Sequence, residues 1–353
     1  MVDLGFISEC EPWRLESRFF PSKIGGKPAW LDLKNLPGKN DLECDYCGDS
    51  CVFLCQIYAP REDPDTFHRT IYVFICKNVE CCKSNKNGNL KVFRSQLNQS
   101  NIFYSSKPPI EEKDRVTHVD VSQWAKTCHV CGIFAPCHCS KCKVVNYCSR
   151  THQVHDWKNG HKETCGTEAD SINEKLYKNN SILFPEYEIT IDPEEELDSE
   201  DVESEKKELE KYNTMVQDGT AGTLQHEDVD DDLSQLASNE KDQIFAEFRT
   251  KVQKDPDQIL RYNKGGEVLY ISPHNQITDV PKCPECNGNR QFEFQIMPQL
   301  LYYLGSTDFK CLDWGILAVF TCEQSCKPNN KYVREYIWKQ DIVQLESEVK
   351  HDT

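Results

Sequence analysis

Apolar residues come in short runs, separated by Gly and Pro, in the first 120 residues and again near the end of the chain. Runs of about four to eight β-branched, aromatic or leucine residues between turn residues are typical of strands. The pattern predicts strands over residues 31–36, 51–58, 71–75, 268–271, 291–296, 314–320 and 333–338.

Two segments have the spacing of helices. Residues 149–161 predict a helix that Ser149 caps. In the second segment, Ile244, Phe245, Phe248 and Val252 fall on one helical face. A single apolar face is more typical of packing against a core than of a partner site.

The two strand-rich regions repeat each other. Gly25-Gly26 precedes Trp30-Leu31 as Gly265-Gly266 precedes Tyr270-Ile271, and Gln56-Ile57 matches Gln295-Ile296 at the same place in the order. Because order and spacing both recur, duplication explains the match better than chance. We expect the two halves to pair, since apolar strands with free edges need partners. The predicted class is α+β, mainly β.

Four stretches divide the 353 residues: a β-rich half at 1–120, a cysteine-rich module at 125–167, a connecting segment at 168–235, and a second half at 236–353. Residues 192–232 contain 17 acidic and three basic residues, a net charge of −14 out of −17 for the chain. Such a segment is predicted to be a largely disordered linker. Its charge favours attraction to a basic protein, although a purely solubilising role is equally open.

Charge and composition also exclude some classes. Nucleic-acid binding requires a basic surface, and none is expected here. The start of the chain does not have the pattern of a signal peptide, and no apolar run approaches the roughly 18 residues of a membrane span. Twenty cysteines grouped in C-x2-C pairs predict an intracellular zinc protein rather than a disulfide scaffold.

The module at 125–167 has eight soft ligands at regular intervals and few apolar residues. The candidate ligands are Cys128, Cys131, Cys139, Cys142, Cys148, His152, His161 and Cys165. Four thiolate or imidazole ligands close one structural zinc site, so eight predict two zincs, whose binding would supply folding free energy. The nearby His129, Cys137, His138 and His155 are expected to be bystanders.

Each half also has a C-x2-C pair and a second cysteine pair after an apolar strand. The predicted sites are Cys283, Cys286, Cys322 and Cys326 in one half, and Cys44, Cys47, Cys76 and either Cys81 or Cys82 in the other. They would add one or two zincs. The alternative is reduced core thiols, which is our interpretation of Cys10, Cys51, Cys55 and Cys311.

The central module resembles a MYND zinc finger, including the Val-Asn-Tyr-Cys run that ends at Cys148 and the Asp156-Trp157 pair. The resemblance implies one zinc bound by Cys128, Cys131, Cys148 and His152, and a second by Cys139, Cys142, His161 and Cys165. His152 stands where the family usually has Cys. The interval from Trp157 to His161 is one residue longer than usual, with Asn159-Gly160 as the expected insertion.

Nearly the whole chain resembles the programmed cell death protein 2 family. Matching blocks include residues 4–6, 13–15, 21–31, 56–60, 67–69, 92–97, 183–188, 258–262, 294–301 and 313–322. The resemblance implies a non-enzymatic cytoplasmic and nuclear protein that acts as a dedicated chaperone for one small-subunit ribosomal protein, eukaryotic S2, in 40S ribosome biogenesis. It also implies a link to stem-cell maintenance. Exposed sheet edges could hold an extended client by strand addition.

Two other functions are considered. A nuclear co-regulator adaptor would bind proline-containing peptides of transcriptional regulators through the finger, and such a groove needs aromatic walls. Tyr147 and Trp157 are candidates, although Trp157 is better explained as an anchor of the small module. An enzyme is not expected, because no G-x-S-x-G, phosphate-binding glycine loop or H-E-x-x-H motif occurs and every proposed zinc has four protein ligands.

Overall fold

Ten strands, nine from the two halves and one from the connecting segment, close into one barrel. The computed structural model describes residues 2–113, 119–166, 180–195, 240–305, 312–327 and 332–342. Most of the acidic segment and Cys311 lie outside these residues, so the expectations about them stay predictions. The barrel strands are β1 (Asp3–Ser8), β2 (Lys23–Ile24), β3 (Val52–Tyr58), β4 (His68–Ile75), β5 (Leu90–Leu97), β8 (Tyr187–Pro193), β9 (Leu260–Tyr262), β10 (Arg290–Ile296), β11 (Ile316–Cys322) and β12 (Val333–Gln340).

The barrel order is β1-β8-β2-β3-β4-β5-β12-β11-β10-β9, and β9 pairs with β1 to complete the ring. The mainly β class and the single body built from both halves are therefore confirmed. Each barrel strand has two neighbours, so strand addition would be confined to stretches that the short pairings leave unpaired, such as those beside β2 and between β5 and β12, and it stays a prediction. Strand β8, which the sequence pattern did not predict, inserts between β1 and β2.

The remaining elements lie mostly in the cysteine-rich module. Strands β6 (Cys137–His138) and β7 (Asn146–Tyr147) form a two-stranded sheet, followed by helices α1 (Arg150–Asp156) and α2 (Lys162–Thr164). Helix α3 (Glu240–Lys254) precedes β9. On α3, Phe248 is buried as the periodicity predicts, but Phe245 is exposed, so the predicted apolar face is narrower than four residues.

Two predicted strands, at residues 31–36 and 268–271, are absent from the structure. Each lies just after a glycine pair, and the chain there is held by a glutamine side chain rather than by a strand ladder. Gln56 accepts a 2.9 Å hydrogen bond from the Ala29 amide and donates to the Ala29 carbonyl. Gln295 makes the same two bonds with Leu269. Amide side chains satisfy buried backbone groups as a strand would.

The barrel interior is apolar over most of its length. Its buried residues include Leu54, Ile57, Ile71, Val73, Leu260, Phe294, Ile296, Leu317, Val319 and Ile337. Alternate residues of the same strands point outward, as strand geometry requires. In the first half these outward residues, such as Phe53, Tyr72 and Phe74, are equally buried because the loop after β2 and the cysteine-rich module cover them.

One end of the interior is charged. Arg69 on β4 and Glu293 on β10 form a fully buried bidentate pair, with 2.7 Å between Nη2 and Oε2. Arg94 on β5 bonds Glu335 on β12 over 2.7 Å. The strands β5 and β12 pair over only three residues, Val333–Glu335. The pairing of β1 with β9 is equally short. The buried ion pairs therefore add a second connection between the two halves, beside the short β5–β12 pairing.

Candidate metal centres

The first cluster brings Cys128, Cys131, Cys148 and His152 together, with all four ligand atoms within 4.8 Å of one another. The Cys131 and Cys148 sulfurs are 3.7 Å apart, and Cys128 Sγ lies 3.5 Å from His152 Nδ1. A tetrahedral zinc with bonds of about 2.3 Å to sulfur and about 2.0 Å to nitrogen separates its ligands by about 3.8 Å (S–S) and about 3.5 Å (S–N). These two distances fit that geometry, and Cys148 Sγ lies closer to His152 Nδ1, at 3.1 Å.

The second cluster joins Cys139, Cys142, His161 and Cys165 within the same limit. Cys139 Sγ lies 3.9 Å from Cys165 Sγ, and Cys142 Sγ lies 3.6 Å from His161 Nε2. The sets interleave along the chain in the way the finger resemblance implies. Residues of the first cluster alternate in pairs with those of the second, so the two metals would hold one small module together.

Helix α1 and the turn that follows it place one histidine in each cluster, His152 and His161 respectively. Ser149 caps the helix by accepting a hydrogen bond from the His152 amide, as predicted. The predicted single helix to His161 is interrupted, because residues Trp157–His161 form a wide π-type turn in which Gly160 has φ of 153°. A π-bulge accommodates one extra residue in a helix. The Asn159-Gly160 insertion is thus absorbed locally, and His161 still reaches its cluster.

The carboxylate of Asp156 is buried in the finger, next to residues that neighbour the ligands. Asp156 is fully buried, its Oδ2 accepts a 2.6 Å hydrogen bond from Tyr147, and His129 Nδ1 lies 3.0 Å from the same oxygen. Burial opposes ionisation, but these two interactions lower the pKa of Asp156. Asp156 Oδ1 and His161 Nδ1 are both buried without a hydrogen-bond partner. A carboxylate near the second nitrogen of a zinc-ligating histidine is a usual orienting group.

The two halves carry one further cluster each. Cys44, Cys47, Cys76 and Cys81 converge in the first half, and Cys283, Cys286, Cys322 and Cys326 in the second. Sulfur separations are 3.6 Å for Cys47–Cys76 and 3.5 Å for Cys283–Cys326, again fitting tetrahedral zinc. The described residues thus form four clusters compatible with zinc, two in the finger and two outside it.

Cys82 is not part of the third cluster, so its place among the candidate ligands is corrected. Its sulfur lies 3.1 Å from the Asp313 carbonyl oxygen and 3.3 Å from the Asp313 amide nitrogen. A 3₁₀ turn over Val79–Cys81 aims Cys81 inward, and its neighbour then points towards the other half of the chain. Sequence spacing alone left this choice open.

The protonation states of the clustered groups depend on each other. Hydrogen bonds from Cys131 and Cys148 lower the pKa of Cys128, while burial raises that of Cys131. Burial opposes the imidazolium form of His152, but its contacts with Cys128 and Cys148 raise its pKa to about 10. Thiolates close to a proton-holding imidazole are suited to exchange that proton for a metal.

The remaining cysteines and histidines lie elsewhere. Cys51 and Cys55 are buried in β3 and its approach, and burial raises the pKa of Cys51 to about 12, which keeps it a thiol. Cys137 and His138 are exposed on β6. Cys10 and His155 belong to no cluster among the described residues.

The two aromatic residues considered for a peptide groove lie within the finger. Tyr147 is buried and bonded to Asp156, so it cannot form the wall of a peptide groove. Trp157 is half-buried and packs edge-on against His161.

The finger packs on the outer face of β3, β4 and β5. Its Val130, Ile133 and Ala135 share one core with Trp30 and Phe53 of the first half. The Phe134 amide also donates a 3.1 Å hydrogen bond to the Pro37 carbonyl. The finger is therefore a packed layer of the molecule.

Family models match three parts of the chain. Residues 1–111 match the model described as programmed cell death protein 2, N-terminal domain, and residues 242–341 match the C-terminal domain model of the same family. Residues 128–165 match the MYND finger model. None of the helices in the described ranges is long and apolar enough to cross a membrane.

Curated relatives support the same assignment. The chain is 42% identical to mouse programmed cell death protein 2 over 348 residues, covering 97% of this chain and 96% of the relative. It is 26% identical to human programmed cell death protein 2-like, covering 88% and 86%. A 99-residue part, 25% of this chain and 24% of the relative, is 30% identical to the fission yeast protein named "Probable 20S rRNA accumulation protein 4". No solved structure matches the chain.

Proposed function

This chain belongs to the programmed cell death protein 2 family, and we propose that it is a non-catalytic chaperone that escorts one basic small-subunit ribosomal protein, eukaryotic S2, to the assembling subunit. The observation that carries the proposal is the family match over almost the full length, combined with a relative whose printed name refers to 20S rRNA accumulation. The MYND finger is a protein-interaction module.

The four clusters support a structural rather than catalytic use of zinc. Each offers four protein ligands, and a tetrahedral site with four protein ligands keeps no position for a substrate or water. Zinc bound there would fix the finger and the barrel loops in place. The finger and the barrel loops would then form a rigid surface for protein contacts.

The charge of the chain supports a basic client. A net charge of −17 attracts a cationic partner and speeds association, an effect that salt weakens. We infer that the client is recognised as a protein and not through RNA, and that the chain works in the cytoplasm and the nucleus. The co-regulator function has less support, because Tyr147 is buried.

The proposal is tested by diluting purified S2 out of denaturant in the presence of equimolar chain and following light scattering. We expect the chain to keep S2 soluble in a one-to-one complex. An unrelated protein with the same net charge serves as control, because charge alone could delay aggregation. If both proteins protect S2 equally, or neither does, the dedicated-chaperone proposal is wrong.

A further inference from the structure

The second half of the barrel has an outer face equivalent to the one that the finger covers. Phe53 and Phe74 meet edge-to-face in the first half, with centroids 5.8 Å apart at 68°. Phe292 and Phe320 repeat this contact at 5.8 Å and 66°. Each pair lies beside a β-bulge. The bulge is between Phe53 and Cys55 in β3 and between Phe292 and Phe294 in β10. The repeated sequence thus builds the same aromatic floor twice.

The two floors are covered differently. In the first half, Trp30 and the finger leave Phe53 and Phe74 fully buried. In the second half, Tyr270 takes the place of Trp30 in the repeated glycine-pair motif, and no finger follows it. Phe292 and Phe320 are buried under side chains of the same half, such as Val268 and Trp338, and a groove of about 640 Å³ whose lining includes both rings remains above them. Its apolar walls are Ile244, Val268, Tyr270, Ile277 and Val280.

The charge of this groove is negative. Glu247 and Glu267 line it and are exposed. Arg290 is the one cation among the described lining residues, and its guanidinium is bonded within the protein. Its Nε donates to Glu335 over 3.0 Å, and its terminal nitrogens donate to the Pro281 and Arg334 carbonyls. Asp279, beside Tyr336, adds another exposed carboxylate nearby. An apolar groove with an acidic rim favours a basic peptide that carries an apolar anchor.

We propose that this groove, lined by Ile244, Val268, Tyr270, Ile277 and Val280 between Glu247 and Glu267, is the docking site for a basic, apolar-anchored segment of the client ribosomal protein. The inference rests on the proposed function and names the surface that performs it. The same rim repels the acidic residues 192–232 of this chain, which carry a net charge of −14. A protein module already packs on the equivalent face of the first half, so this face is built for a protein contact.

The test uses charge reversal with a matched control. The double variant Glu247→Lys and Glu267→Lys is compared with Glu9→Lys and Glu62→Lys, which reverses two other exposed carboxylates and gives the same net charge. Affinity for purified S2 is measured by titration at fixed ionic strength. We expect the groove variant to bind at least about tenfold more weakly than the control variant. Equal binding by the two variants would overturn the groove assignment and leave the chaperone proposal standing. Failure of the unmodified chain to bind S2 would overturn both.

Photocrosslinking provides a second measurement that does not depend on charge. A benzophenone amino acid replaces Ile277 in the groove wall, or Val144 on the exposed surface of the finger as control. We expect S2 to crosslink at position 277 and not at 144. Crosslinking only at 144 would move the client to the finger and contradict the groove assignment. Unchanged zinc content and thermal unfolding show that each variant is folded.

Discussion

The indole Nε1 of Trp30 donates a 2.8 Å hydrogen bond to the carbonyl of Gly132, so the first half of the barrel holds the finger by its backbone. Trp30 lies in the core shared by the finger and the outer face of the sheet, and Gly132 is buried. The finger can therefore be inserted in the sequence and still be part of the barrel's packing. Loss of its metals is expected to destabilise the first half as well as the finger.

The first prediction concerns this contact. Trp30→Phe keeps an aromatic ring in the core but leaves the buried Gly132 carbonyl without its donor, which costs about 1–3 kcal/mol. We expect a lower free energy of unfolding and faster hydrogen exchange in residues 128–135. Trp124→Phe is the control, since that indole is 36% exposed. Equal effects of the two substitutions would argue against a specific Trp30–Gly132 contact.

The second prediction is the zinc content. Four clusters predict four zincs per chain by metal analysis of the purified protein. Cys81→Ser is expected to lower the content by one, whereas Cys82→Ser, at the adjacent position, leaves it unchanged. Two zincs per chain would show that the clusters outside the finger are reduced thiols.

The third prediction concerns the buried Arg69–Glu293 pair. Removing one partner leaves the other charge buried, which costs about 3–5 kcal/mol. We expect Arg69→Met alone to destabilise the protein more than Arg69→Met combined with Glu293→Met, measured by denaturant unfolding. Additive losses in the double variant would mean that the two side chains do not interact.

The fourth prediction is a pH dependence at Lys264. Burial, and then repulsion from Arg69, lowers the pKa of Lys264 to about 8 from 10.5. A lysine whose pKa is lower in the folded state destabilises the fold while both states are protonated, and the penalty is relieved as pH rises between the two values. Lys264→Met should therefore be more stable than the unmodified chain below pH 8, and the difference should shrink from pH 8 towards 10.5. A difference that is constant across this range would contradict the assignment.

The sequence predicts what depends on local spacing. The candidate ligands, the Ser149 cap and strands such as Val52–Tyr58 follow from residue type and periodicity, whereas the division of the finger's ligands into two sets is what the MYND resemblance implies. The prediction of strands at residues 31–36 and 268–271 is wrong. Gln56 and Gln295, which are distant in the chain, make the hydrogen bonds to the backbone there that a neighbouring strand would make. Strand β8 was missed because its residues Tyr187–Pro193 include charged side chains and lie beside the acidic segment.

What the sequence leaves open is set by tertiary contacts. The choice between Cys81 and Cys82 depends on which sulfur the turn after β4 directs inward. Closure of the barrel depends on pairings such as β5 with β12 and β1 with β9, between strands far apart in sequence. The groove above Phe292 and Phe320 emerges only when the two repeated faces are compared in space.

The central claim is that the chain carries one ribosomal protein outside the ribosome. It is tested most directly by affinity capture of the tagged chain from cells in moderate salt, followed by quantitative mass spectrometry. The account predicts S2 enriched far above every other small-subunit protein. Recovery of S2 only in proportion to the whole subunit, or of transcriptional regulators that are lost when Cys139 is replaced, would contradict it.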